Sequence, residues 1–251
     1  TVASQATLTR TNYQFAGWNT KADGSGTSYA AGAMDTIGPA NDTLFAKWAA
    51  LSDADGNVYT TVTIGAQTWM VQNLKTTTYN DGTSIPLVTD SIAWFNLSTP
   101  GYCWYNNDVA NKATYGALYN WYTVNTGKLA PAGWHVPTDS EWTVLFTYLG
   151  SDTLGNAGGK LKEAGTLHWL SPNTNATNES GFSALPGGFR VPLSSYSIFN
   201  NMSTDGVWWS STRYISDPSM SDDIDLRSSS GYIYPGYALP ITGNSVRLIR
   251  N

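Results

Sequence analysis

Gly133-Trp134-His135-Val136-Pro137-Thr138-Asp139-Ser140-Glu141-Trp142 carries the best-marked helix start in the chain. Thr138 and Glu141 stand at the spacing of a capping box, in which the Thr hydroxyl accepts from the N3 amide and the Glu carboxylate reaches back to the N-cap amide. Trp142, Leu145, Phe146 and Leu149 then recur on one helical face, and Gly150 supplies the stop. Outward from this helix the other helical signals are weaker. Ala113 to Tyr122 places Leu118, Trp121 and Tyr122 on one side and predicts a second buried helix, whereas Lys160-Leu161-Lys162-Glu163-Ala164 reads as helix or loop. From Phe182 onward the chain alternates or turns, which predicts strands joined by ordered loops. The expected class is α+β, with few helices and many short strands.

Composition bounds the function. At 251 residues the chain has room for one large domain or two smaller ones. Charged residues make up only 12%, the net charge is −5 and the isoelectric point is near 4.8, so there is no basic face for nucleic acid or for an anionic bilayer. No stretch approaches the roughly 18 apolar residues that span a membrane, which argues against direct insertion. Eleven Trp, fifteen Tyr, 24 Gly and 11 Pro describe an irregular, β-rich, extracellular type of protein. Its tryptophans and tyrosines exceed what a core of this size requires. The chain opens mid-pattern at Thr1-Val2-Ala3 without a signal peptide, which is how a piece of a longer exported product reads.

The last seventy-two residues, Ser180 to Asn251, contain no Lys, Glu or Gln and are crowded with Ser, Tyr, Asn, Asp, Gly and Ile. Tyr supplies stiff contact area and Ser, Gly and Asn supply adaptable hydrogen bonding, the mixture on which paratopes converge. An ordinary β-rich lobe with polar loops has a similar composition.

Residues 1–50 stand apart. Ala6-Thr7-Leu8-Thr9 and Tyr13-Gln14-Phe15-Ala16-Gly17-Trp18 read as strand, Asp23-Gly24-Ser25-Gly26 as a tight turn, and Thr43-Leu44-Phe45-Ala46-Lys47-Trp48 as a closing strand. Tyr13 to Tyr29 with Thr43 to Trp48 resembles the Listeria–Bacteroides repeat, without that repeat's first strand. The resemblance implies a small β-grasp-like spacer of bacterial surface proteins. After the connector Ala49-Ala50-Leu51-Ser52, Asp53-Ala54-Asp55-Gly56-Asn57 reads as a polar turn rather than a calcium loop, since Val58, Tyr59 and Thr60 bring no late bidentate carboxylate.

An ordered set of motifs then runs through the remainder: Gly56-Asn-Val-Tyr, Ile64-Gly, Trp69-Met, Asn73-Leu-Lys, Tyr115-Gly-Ala-Leu-Tyr-Asn-Trp, Gly133 to Trp142, Ala184-Leu-Pro-Gly-Gly-Phe-Arg, Trp208-Trp-Ser-Ser-Thr and Ser245-Val-Arg-Leu-Ile-Arg. From about Asp53 to Asn251 the chain closely resembles the Fibrobacter succinogenes major paralogous domain. The resemblance implies a C-type-lectin-like fold, in the branch shared with formylglycine-generating enzymes and with the variable proteins of diversity-generating retroelements. Formylglycine generation relies on active-site cysteines, and Cys103 is the only cysteine, so that enzyme reading is remote. Cys103 is expected to be a buried apolar group between Tyr102 and Trp104. The Glu-Pro-Asn, Gln-Pro-Asp and Trp-Asn-Asp tripeptides of calcium-dependent lectins are missing as well. No metal, cofactor or catalytic residue is expected.

The retroelement branch fits the carboxyl-terminal composition. Randomised adenines in Asn-type codons exclude Lys, Glu, Gln, Trp and Met, and Arg213 to Thr242 obeys this with Met220 as the exception. Met220, Ile224 and Leu226 sit at even spacing like the inward face of a strand, which turns Ser221, Asp223 and Asp225 outward. The expected contact surface, about 194–241, comprises Ser194, Ser195 and Tyr196, then Tyr214, Ile215, Ser216, Asp217 and Ser219, then Ser221, Asp223 and Asp225. It continues with Ser228, Ser229 and Ser230, and with Tyr232, Ile233, Tyr234, Tyr237, Leu239 and Ile241. Tyr214, Tyr232, Tyr234 and Tyr237 are the expected anchors.

The expected partner is a protein on another cell or particle, and the expected location is a bacterial surface or a phage particle. The alternative is an undiversified adhesin whose Trp and Tyr stack on glycan rings. His135 is expected to be a hydrogen-bonded structural residue, and His168 has no partner visible in sequence. Arg190 and Arg247 are expected to meet buried carbonyls or carboxylates, with Asp139 and Glu141 as candidate partners.

Overall fold

The computed structural model describes residues 8, 10, 13–30, 32–33, 43–150 and 156–251, and divides them into two compact units. The first comprises residues 1–51 with 58–61, and the second comprises 52–57 with 62–251. In the first, strands β1 (Tyr13–Asn19), β2 (Ser28–Tyr29), β3 (Phe45–Ser52) and β4 (Val58–Tyr59) form a sheet in the order β2-β1-β3-β4. The predicted turn forms around the buried Asn19, whose amide donates to the carbonyls of Gly24 and Gly26 and whose Oδ1 accepts from the Gly26 amide. The expected strand at Ala6-Thr7-Leu8-Thr9 falls largely outside the described residues.

The second unit joins short antiparallel ladders to short helices, five of them α-helices among the described residues. One sheet runs β5 (Thr61–Ile64), β6 (Gln67–Met70), β15 (Ile249–Arg250), β9 (Trp134–His135), so the last strand pairs between β6, near the start of the second unit, and β9. A two-stranded ladder pairs β7 (Tyr102–Cys103) with β8 (Leu118–Tyr119), and a hairpin pairs β10 (Phe189–Leu193) with β11 (Tyr196–Asn200). The third sheet has the order β12 (Asp205–Arg213), β13 (Ser221–Arg227), β14 (Ile233–Ala238). The helices are α1 (Ser91–Phe95), α2 (Asn111–Tyr115), α3 (Trp121–Val124), α4 (Asp139–Tyr148) and α5 (Ala157–Leu161).

Helix α4 forms as its sequence dictates. Thr138 accepts from the Glu141 amide, and Glu141 accepts from the Thr138 amide in return. Its apolar face sets Trp142 against Trp69, with ring centroids 4.7 Å apart, and against Phe182. The expected helix over Ala113–Tyr122 is instead broken into α2, β8 and α3. Gly116 adopts φ 75° where the backbone presses on Asn73 and Leu74, and a Cβ there would lie 2.7 Å from the Leu74 carbonyl oxygen. The helical pattern was therefore interrupted by a close approach that only glycine permits. Lys160 and Leu161 end α5, and Lys162 leaves it extended.

Tryptophan is a structural residue here. Nine of the eleven are buried in the second unit, and the indole N–H groups of Trp94, Trp121, Trp169 and Trp209 each donate to a backbone carbonyl. That accounts for the excess seen in the composition and removes these nine as glycan-stacking faces. Cys103 is buried as expected, and burial pushes its thiol up to about 12. The Asp53–Asn57 segment is a turn in which Asp53 accepts from the amides of Asp55 and Asn57.

The two arginines of the motifs, Arg190 and Arg247, meet carbonyls, and Asp139 and Glu141 are not their partners. Arg190 donates to Ser197 Oγ and to the carbonyls of Val88, Thr89 and Asp90. Arg247 donates to Asn73 Oδ1 at 3.0 Å and to the carbonyls of Phe182 and Ser183, with its guanidinium over the Phe182 ring. Glu141 instead pairs with His135, which confirms His135 as a hydrogen-bonded residue, and the Asp139 amide donates to Thr212 Oγ1. His168 has a partner that the sequence did not reveal, Glu163.

Arg247→Ala strips a buried network of charge-assisted bonds and is expected to destabilise the second unit by about 3 kcal/mol or more. The urea midpoint checks this. Arg247→Lys should recover little, because an ammonium cannot reproduce the planar fork.

Candidate functional site

The β12-β13-β14 sheet has two chemically distinct faces. Trp208 pairs across from Ile224, and Gly206 from Leu226, which in turn faces Ile233; this face joins the core with Trp69 and Trp142. On the other face Val207, Asp225 and Tyr234 align across the three strands, as do Trp209, Asp223 and Gly236. The alternation expected for Ile224 and Leu226 against Asp223 and Asp225 is therefore present. The second face does not open directly to water, however. It forms the bed of a cleft of about 560 Å³, also lined by Phe189, Val191 and Pro192 of β10 and by Leu239, Thr242 and Asn244. That volume lies within the about 300–1,000 Å³ typical of ligand pockets.

Asp223 is 8% exposed, which corrects its expected outward placement. Its Oδ2 accepts from Asn244 Nδ2 at 3.1 Å, and its Oδ1 occupies the space above Gly236, where a Cβ would come within 2.7 Å. Burial, and then the charges of Asp225 and Asp222, push its carboxyl up to about 7 against the Asn244 bond. Asp225 is raised to about 6, again chiefly by burial, although its Oδ2 accepts from Arg227 Nε at 2.6 Å. Asn244 is itself fixed from both sides, exchanging backbone bonds with Tyr119.

Of the expected contact residues, Asp223, Asp225, Tyr234, Tyr237 and Leu239 line this cleft. Tyr237 stacks on Tyr214 with centroids 4.2 Å apart, so Tyr214 props the rim. Beyond it Ile215, Ser216, Asp217 and Ser219 form an exposed loop, with Ile215 92% exposed. That loop is internally braced: Asp217 accepts from the amide and hydroxyl of Ser219, and the Tyr214 amide donates to the Met220 carbonyl. Ser194, Ser195 and Tyr196 are exposed at the β10–β11 tip.

Other expectations are corrected. Ser221, Ser228 and Ile233 are buried; Ser221 lies at the covered start of β13, Ser228 is tied to Thr204 and Thr174 by backbone bonds, and Ile233 belongs to the core. Met220 precedes β13 and lines the cleft instead of continuing the inward face. Ile241 is half-buried, its carbonyl held by Trp94. Ser229 and Tyr232 are exposed and Ser230 partly so, but they sit in the β13–β14 turn, at the opposite end of β13 from Tyr214. Seven residues of strand separate the two ends by about 20 Å, so Tyr232 does not share a compact site with Tyr214 and Tyr237. Lys162 pins that turn, donating to the carbonyls of Thr174, Arg227 and Ser230, and burial lowers its ammonium to about 8.

Phe189, Val191, Val207, Arg227, Thr242 and Asn244 were missed as lining residues. Phe189 and Val207 adjoin or lie in the scaffold motifs, and Asn244 directly precedes Ser245, so nothing in the sequence marked them as facing a cleft.

Because Asp223 is held above its ordinary value of 3.8, the folded chain keeps this proton longer than the unfolded one. Its contribution to stability therefore falls as pH rises from about 4 to about 7. Asp223→Asn is expected to melt about 2–4 °C above the wild type at pH 8, equivalent to about 1 kcal/mol, and no higher at pH 4. Calorimetry at the two pH values checks the sign.

Residues 1–47 match the Listeria-Bacteroides repeat domain. A protein of Evansella cellulosilytica that bears a membrane-protein name is 49% identical over 49 residues, 20% of this chain; the chain spans only 7% of that protein's length. No helix among the described residues is long and apolar enough to cross a membrane. No solved structure matches the chain. The Fibrobacter succinogenes major domain matches residues 62–250, nearly the whole second unit and three-quarters of the sequence, and the chain belongs to that family.

Proposed function

We propose that this chain is a non-enzymatic, ligand-binding protein of a bacterial surface or phage particle, built as a spacer followed by a C-type-lectin-like domain. Its recognition face is the cleft on the β12-β13-β14 sheet and the adjoining loops, and its target is a protein on another cell or particle. The observation that carries this reading is that exposed Tyr237 and Leu239 line a concave, polar-bedded cleft. Exposed apolar side chains gathered around a pocket are the usual mark of an interaction site. The absence of Lys, Glu and Gln from Ser180 onward supports a surface diversified by a retroelement, with the buried Trp and Arg network as its fixed frame.

Glycan binding is the second reading. Tyr237, exposed and stacked on Tyr214, offers a ring face beside Asp223 and Asn244, the combination by which sugars are held through stacking and hydrogen bonds.

Sequencing the DNA beside the gene tests diversification. A near-identical template repeat with a reverse transcriptase gene, and mismatches confined to template adenines within codons 194–241, is the expected result; absence of both removes diversification. On a target found by selection, Tyr237→Ala is expected to weaken binding by about 1–3 kcal/mol with the melting temperature unchanged. Ile233→Ala is expected to destabilise by about 2–5 kcal/mol instead.

A further inference from the structure

We propose that the cleft on the β12-β13-β14 sheet is a socket for one basic side chain, arginine or lysine, presented by the protein target; this rests on the reading of the cleft as the recognition face. The first argument is a surplus of acceptors. Among the described residues, Asp225 Oδ1 and Asn244 Oδ1 are buried without a hydrogen-bond partner, and Asp223 has Asn244 Nδ2 as its donor. Asn244 is 1% exposed and lines the cleft. Buried acceptors without donors are costly, and a group that brings donors alone relieves them best. A guanidinium has five N–H donors and an ammonium three, with no acceptor on either. A sugar hydroxyl brings a lone pair with every donor and answers this bed less completely.

Charge gives the second argument. Two acidic side chains, Asp223 and Asp225, line the cleft against Arg227, which is already paired with Asp225, so a second cation beside Asp223 would take the place of the proton there. Asp222 and Asp205 add negative charge from β13 and β12. An incoming cation would be paired with Asp223 in a site largely withdrawn from water, where charge-assisted bonds are strong.

The third argument is shape. Arg227 already displays how this surface receives a guanidinium: its Cζ lies 4.2 Å over the Tyr234 ring while Nε donates to Asp225. The Tyr237 ring, braced by Tyr214, provides a second aromatic face at the rim, and Phe189 and Val191 provide apolar wall for an aliphatic stem. The carboxylates are positioned in advance, because β12 and β14 flank Asp223 and backbone bonds fix Asn244.

The test titrates the intact chain with acetyl-Gly-Gly-Arg-Gly-Gly-amide, its lysine counterpart and its citrulline counterpart, following the Asn244 side-chain amide by NMR. Citrulline keeps the shape of arginine without the charge and needs no protein variant. The basic peptides are expected to bind at least about tenfold more tightly than the citrulline peptide; equal binding overturns the proposal. In parallel, a displayed random-peptide library is selected on the chain. Binders sharing an Arg or Lys, and lost on Asp223→Asn with Asp225→Asn, support the socket. Binders without a basic residue that are lost on Tyr237→Ala but not on the Asn changes overturn the socket and leave the recognition face standing. A glycan bound in the cleft in place of any peptide overturns the socket in favour of the sugar reading. A library yielding nothing sensitive to Tyr237→Ala overturns both.

Discussion

The second unit depends on one buried amide. Asn73 Oδ1 accepts from Arg247 Nε and from Trp208 Nε1, while its Nδ2 donates to the Tyr115 carbonyl and to Ser245 Oγ. One side chain thereby joins the segment after β6, the end of α2, strand β12 and the carboxyl-terminal segment. Arg247 extends the network to the carbonyls of Phe182 and Ser183. Each of these partners is far away in sequence from Asn73, and Arg247, Trp208 and Ser245 are buried with it; a buried polar network specifies a unique arrangement only when its members are matched. Short ladders of two to seven residues could pair in several registers; this network selects one.

The consequence for function is a division of labour between the faces of a single sheet. Trp208, Ile224, Leu226 and Ile233 hold one face to the core, and the register thus set places Asp223 and Asp225 on the other. Arg190 does the same for the cleft's opposite side, tying β10 to the carbonyls before α1 and exchanging backbone bonds with Gly243. The exposed loop from Ile215 to Ser219 closes on itself through Asp217, so its side chains contribute little to the core. The buried Trp and Arg contacts that fix this frame do not involve the side chains of that loop.

What the sequence disclosed follows from how local the cause is. The α4 cap, the Asp53 turn and the burial of Ile224 and Leu226 each depend on residues within a few positions of one another, and each formed as expected. The helix expected over Ala113–Tyr122 failed because its interruption comes from Asn73 and Leu74, about forty residues away. The same limit applies to the site. Period-two alternation separated Asp223 from Ile224, but it could not tell that β10 and the 239–244 segment would cover Asp223, nor that Tyr232 would stand at the far end of β13. Serines read as contacts from their composition divided by backbone context: Ser221 and Ser228 are buried, while Ser194 and Ser195 are exposed.

We propose that folding and recognition are carried by different residues of one carboxyl-terminal segment. Saturation mutagenesis of residues 180–251, read by the surface-display level of folded protein, tests it most directly. Broad tolerance is expected at Ser194, Tyr196, Ile215, Asp217, Tyr237 and Leu239, and intolerance at Arg190, Trp208, Trp209, Ile224, Ile233 and Arg247. Equal intolerance across both groups would contradict it, because the rim would then be part of what holds the domain together.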